Sequence, residues 1–214
     1  MSRPVTIFTG QWADLSFTEV CEKMSSIGYD GLEIACWGDH LEPRQAAVDP
    51  NYVESRLELL ERHGLKTWAL GAHLPGQCVG DNWDPRLDAF APDSVKGQPE
   101  KIRAWAIQEM KYVARAAKNL GCSVVTGFTG SPIWAYFYSF PPTTEKMIDD
   151  GFKRIVELWT PILDEFDKQG VLLALEVHPS EIAYDLYTTA MLLENFDHRS
   201  TFGLTFDPSH IIWQ

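Results

Sequence analysis

Apolar and polar positions along this chain switch between two periods, in a regular rhythm. Short apolar runs of strand character cover residues 5–9, 31–35, 65–74, 123–129, 171–177 and 202–207. Between them, an apolar stripe at helical spacing covers residues 15–27, 50–63, 99–120, 143–169 and 185–195. In the third of these, Ile102, Trp105, Ala106, Met110, Val113, Ala117 and Leu120 fall on one helical face. Proline opens that helix and Gly121 closes it, and Gly28 and Gly64 stop two earlier ones, as helix start and stop chemistry prefers.

Strands alternating with helices predict a parallel sheet covered by helices, either a barrel or a doubly wound sheet. The strand faces decide between them. In the fifth strand Leu172, Ala174, Glu176 and His178 share one face and Val171, Leu173, Leu175 and Val177 the other; in the sixth, Gly203, Thr205 and Asp207 oppose Phe202, Leu204 and Phe206. One face is aliphatic, and the other turns from small to polar toward the strand's end. The third strand repeats this with Thr67, Ala69, Gly71 and His73, and the second with Gly31, Glu33 and Ala35. That is the inward face of a barrel with its site at the C-terminal mouth. After the first strand stands Thr9-Gly10-Gln11-Trp12, with no glycine-rich dinucleotide fingerprint.

The expected fold is therefore α/β, of the (β/α)8 TIM-barrel type, as one domain over residues 1–214. A complete barrel runs to about 250 residues, so about six β/α units are expected here and the last two are expected to be missing. As an incomplete barrel the chain is expected to expose strand edges and to oligomerise or dissolve poorly.

Composition narrows the function. A net charge of −12 argues against a nucleic-acid partner and for a small molecule. Cys21, Cys36, Cys78 and Cys122 are widely spaced, with no C-x-x-C pair, and read as free thiols of the cytoplasm. No signal-peptide pattern opens the chain, and no run approaches the length of a membrane span, so no membrane association is expected.

Two motifs carry the chemistry. Glu176 interrupts an aliphatic strand, where an unpaired buried carboxylate costs several kcal/mol. No lysine or arginine shares its face, so a metal or substrate role stands ahead of a salt bridge. Asp207, at the tip of the sixth strand, reads as a second metal ligand, with an Asp-Pro turn or a helix N-cap as the alternative. His210 follows three residues later as a proton-handling group, with a satisfied loop histidine as the alternative. His178 and His73 close strands in the same way, as substrate contacts or as plain strand ends, and Glu33 faces inward to bind substrate hydroxyls or to pair with a neighbour. Glu181 could reach the mouth from the loop after the fifth strand, but ordinary solvated surface is the reading that stands ahead. The long connection 75–98 and the aromatic segment 131–142 fit lids or stacking platforms, with packing or subunit contact as the alternative; Trp12, Trp37 and Trp134 are the candidate stacking residues.

Glu176-Val177-His178-Pro179, Asp207-Pro208-Ser209-His210 with the adjoining Ile211-Ile212-Trp213-Gln214, Gly31-Leu32-Glu33-Ile34 and Gly64-Leu65-Lys66 resemble the sugar phosphate isomerase/epimerase superfamily with the xylose-isomerase-like barrel. The resemblance implies that Glu176 is a metal ligand that also moves a proton, that Asp207 is a second ligand, and that His210 contacts substrate oxygens beside the metal. It implies a divalent cation, Mn²⁺ or Mg²⁺ first and Co²⁺ or Zn²⁺ next, and isomerisation or epimerisation of a sugar or sugar derivative through an enediolate. In that superfamily a strand-seven histidine and a strand-eight glutamate complete the set, and the sequence reaches neither. Two rivals remain: a metal-dependent phosphodiesterase of the apurinic-endonuclease type, which the acidic balance and only 6 histidines disfavour, and a silent sugar-binding module.

Overall fold

The computed structural model describes residues 3–212, so Trp213 and Gln214 of the last motif lie outside the described residues. Its strands are β1 (Thr6–Phe8), β2 (Gly31–Ala35), β3 (Lys66–Gly71), β4 (Val124–Gly127), β5 (Leu172–Glu176) and β6 (Phe202–Thr205). They form one sheet in the order β1-β2-β3-β4-β5-β6, and every pairing is parallel. A doubly wound sheet reverses its strand order at a switch point. An unbroken sequential order is instead that of a barrel wound in one direction. Here β1 and β6 are the open edges of the arc, and the described residues form an incomplete (β/α) barrel.

The helices are α1 (Phe17–Ile27), α2 (Pro43–Val48), α3 (Pro50–Arg62), α4 (His73–Gly80), α5 (Pro99–Asn119), α6 (Glu145–Gln169), α7 (Leu186–Asn195) and α8 (Pro208–Ile211). Their starts are written locally. Ser16 and Glu19 form a capping box on α1, Asp49 caps α3 ahead of Pro50, and Asp185 with Thr188 boxes α7. Outward strand residues Leu32, Ile34, Leu70, Val125, Leu173 and Leu175 are buried against Phe17, Met24, Met110, Trp159 and Phe166 of the helices. Each such side chain contributes about 1.5–3 kcal/mol by leaving water. None of the described helices is long and apolar enough to cross a membrane, and all four cysteines are buried and unpaired with one another.

The structure departs from the sequence pattern in three places. First, β3 carries a bulge: Leu32 pairs with Thr67 but Glu33 pairs with Ala69, leaving Trp68 as an extra residue. Strict alternation puts Thr67 on the inner face, yet its hydroxyl lies 3.6 Å from the core thiol of Cys122. Trp68 turns inward instead, and its ring lies so close over Gly31 that a Cβ there would stand 2.6 Å from it.

Second, β3 ends at Gly71, and His73 opens α4 rather than closing a strand. Pro75 and two glycines disfavour a helix here by local propensity. Tertiary contact requires those glycines: a Cβ on Gly76 would stand 2.2 Å from the Phe128 carbonyl oxygen, and one on Gly80 2.3 Å from that of Thr129. Helix α4 thus lies directly on the segment that follows β4. The Arg103 guanidinium bonds to the carbonyls of Val79 and Asp81 at its C-terminal end. Third, the short helices α2 and α8 are additions to the predicted set.

Candidate active site at the strand tips

Glu176 is the last residue of β5, and Asp207 and His210 sit just beyond β6 at the start and within the single turn of α8. Parallel strands with short returns bring these tips to the same rim. The carboxylates of Glu176 and Asp207 and the imidazole of His210 offer one ligand atom each, all within 4.8 Å of one another. His210 Nε2 lies 3.1 Å from Glu176 Oε1 and 3.5 Å from Asp207 Oδ2.

The other oxygen of Glu176 is also engaged. Helix α4 opens so that His73 Nε2 lies 3.1 Å from Glu176 Oε2. That bond holds the Glu176 carboxyl below the usual carboxylate range, ahead of the opposing effect of burial, and the charges of His73, His210 and His178 act in the same direction. The Asp207 carboxylate also accepts from the Ser209 amide at 2.8 Å, and hydrogen bonding to Ser209 lowers its pKa. The two alternatives weighed for Asp207, N-cap and ligand, are therefore compatible: Oδ1 caps α8 while Oδ2 faces His210.

Aromatic rings fix the imidazoles. His73 is 8% exposed and lies between Phe8 and Phe128, with centroids 5.1 and 4.8 Å away, and Trp37 stands edge-on at 6.5 Å. Phe128 also packs on His178 at 4.9 Å, and His178 meets His210 at 4.1 Å in a T-shaped contact. Burial, reinforced by the charge of His210, lowers the His178 pKa, and its Nδ1 is bonded to the Pro179 carbonyl. His73, His178, His210, Glu176 and Asp207 are thus brought together.

The remaining candidates occupy other places. Glu33 lies inside the arc, where Thr126 Oγ1 donates to its carboxylate at 2.5 Å and burial raises its pKa. Trp12 is partly buried against the core on a 3-10 turn, Gly10–Trp12. Trp134 belongs to a cavity of about 630 Å³ that adjoins the cluster, walled in part by His73, Phe128 and His178. A second hollow, of about 780 Å³ on the helical shell at α2 and α3, shares no residue with these candidates.

Glu181 has a different role from the solvated surface expected of it. It is fully buried, and one oxygen accepts the amides of Thr129 and Gly130 at 2.8 and 2.7 Å. Burial, with Asp81 nearby, pushes its pKa up to about 8. The next amide, Ser131, donates to Asp81 Oδ1 at 2.7 Å, and Trp159 Nε1 donates to the Thr129 carbonyl at 3.0 Å. These bonds set the segment that carries Phe128. Nothing in the local sequence marks Glu181 for this, because its partners lie about fifty residues away in the chain.

Three solved structures frame the fold. The probable 3-DHS dehydratase AsbF of Bacillus anthracis, involved in petrobactin synthesis, superposes with a TM-score of 0.65 at 18% identity, over 99% of this chain and 65% of that one. A D-psicose 3-epimerase solved in the presence of D-fructose gives 0.66 at 13% identity, over 99% and 66%. An IolI protein with a bound zinc atom gives 0.61 at 20% identity, over 97% and 64%. The chain therefore spans about two thirds of the length of the structures it matches. None of the curated proteins compared matches the sequence. The model of the xylose isomerase-like TIM barrel family matches residues 21–214, and the chain belongs to that family.

Proposed function

We propose that this chain bears the site of a divalent-metal-dependent isomerase or epimerase that acts on a sugar or sugar derivative. The reading rests on one observation: the Glu176 carboxylate stands between two imidazoles, within the cluster it forms with Asp207 and His210 at the strand tips. The donor set fits a divalent cation, since two carboxylates and an imidazole suit Mn²⁺ or Mg²⁺ and admit Co²⁺ or Zn²⁺. The zinc of the IolI structure supports a metal on this fold.

A cation held there supplies Lewis-acid polarisation of a carbonyl and so acidifies the adjacent C–H. Glu176 is the base that takes this proton, ionised because hydrogen bonding favours its charged form. His73 orients the carboxylate. His210 faces the same substrate oxygens, and the ring of His178 packed against it fixes its plane. Residues 1–214 act as one domain in this reading, in the cytoplasm. The sugar-epimerase neighbour supports a small sugar as partner.

The test is proton exchange. In D₂O with Mn²⁺, a panel of free ketoses and aldoses should lose the C–H signal next to the carbonyl, and chelation or Glu176→Gln should stop the loss. Exchange that survives Glu176→Gln would sink the assignment.

A further inference from the structure

The cavity beside the cluster is walled by α4, by residues 81–90 and by residues 128–136, and it shares His73, Phe128 and His178 with the site. A ligand reaching Glu176 past those imidazoles therefore has a second compartment within reach. At about 630 Å³ it falls in the range of pockets that enclose drug-sized ligands and is roomier than a single hexose requires.

Its chemistry is flat and apolar. Trp83, Phe90, Trp134 and Tyr136 line it together with Phe128. Both tryptophans are held in place: Trp83 Nε1 donates to Asp88 Oδ1 at 2.8 Å, and the Trp134 ring stands edge-on to Tyr184 and Phe137 at 5.2 and 5.8 Å. Rings fixed beforehand lose little freedom when a ligand stacks on them.

Its charge disfavours an anion. Asp81 and Asp84 line it, and Arg86 is the one lysine or arginine among its lining residues. That guanidinium is already paired to Asp84 through two bonds, at 2.6 and 2.9 Å. A phosphate placed here would meet two carboxylates and a guanidinium already spoken for.

We infer that the substrate is an uncharged two-part molecule: a polyol end that reaches the Glu176 cluster, and a second group with a flat apolar face that stacks between Trp83 and Trp134. An aryl substituent and the C–H face of a second sugar ring both offer that face. The inference rests on the proposed sugar chemistry of the site, and it separates from that reading experimentally.

Binding of glucose, glucose 6-phosphate, phenyl β-glucoside and cellobiose is measured by calorimetry on the whole chain, and again on Glu176→Gln, Trp134→Ala and Trp134→Phe. Phenyl glucoside or cellobiose should bind at least 10-fold tighter than glucose, and whichever does so identifies the second group. Trp134→Ala should erase the difference and Trp134→Phe should keep most of it, with unchanged circular dichroism. The preference should persist in Glu176→Gln, so a failure of proton exchange with the preference intact sinks only the reaction. Equal binding of all four, no binding, or tighter binding of glucose 6-phosphate overturns the inference.

Discussion

Glu176 and His73, 103 residues apart in sequence, meet at 3.1 Å and tie the tip of β5 to the first turn of α4. The carboxylate oxygen that faces His73 is not the one that faces His210. Glu176→Gln keeps the shape but cannot take a proton, and the exchange rate should fall by about 10²–10⁴-fold. His73→Phe should lower the rate less, because the base survives without its orienting partner. A His73→Phe variant with full activity, read by deuterium incorporation, would remove His73 from the site.

Cation binding should appear as stability. Mn²⁺ at about 100 times its Kd contributes about 2.7 kcal/mol, which for a chain of this size raises Tm by roughly 5–10 °C. Asp207→Ser can still cap α8 but offers no carboxylate, so its Tm without metal should stay close to the parent's while the Mn²⁺ shift disappears. Asp207→Ala loses the cap as well and should drop by about 1 kcal/mol. Differential scanning calorimetry with and without Mn²⁺ distinguishes the three proteins, and an unaltered shift in Asp207→Ser would exclude Asp207 as a ligand.

Gly76→Ala introduces a methyl group into a backbone contact where a Cβ has 2.2 Å of room. The obstacle is a carbonyl rather than a flexible side chain, so α4 or the segment after β4 has to move. Overpacking of this kind destabilises by about 1–3 kcal/mol. Because α4 carries His73, the urea midpoint and the exchange rate should fall together. A variant as stable as the parent would show that α4 is free to shift.

Glu181 makes stability depend on pH. Its folded pKa, at about 8, lies above the 4.5 of an ordinary glutamate, so the folded state holds a proton that the unfolded chain releases. The contribution is therefore fully present below pH 4.5 and is lost as pH rises to about 8, with a slope of up to about 1.4 kcal/mol per pH unit. Glu181→Gln, which cannot ionise, should lack this slope, and its stability relative to the parent should improve from pH 5 to pH 8. Urea titrations at four pH values read this directly. Parallel pH profiles would show that Glu181 is charged in the folded protein.

The strand order, five of the helices and the Glu176–Asp207–His210 cluster were legible in the sequence, because periodicity and strand tips are local properties. Helix α4 was not: His73–Gly80 carries a proline and two glycines, and only the facing carbonyls of Phe128 and Thr129 explain why. The inward turn of Trp68 was hidden because a bulge breaks the two-residue parity that face assignments rely on. The burial of Glu181, expected at the solvated surface, was hidden for a third reason. Its partners are backbone amides, which look the same in every sequence.

Consecutive amides at residues 129, 130 and 131 are all engaged by buried or half-buried acids, and the Thr129 carbonyl is held by an indole. A wall tied at every rung has no slack with which to accommodate a differently shaped guest. Adaptation to a new ligand must therefore be made on the opposite bank, in residues 83–90 beyond the tying Asp81 and Asn82, and in the aromatic stretch beyond residue 134, where sequence can drift without disturbing the histidines.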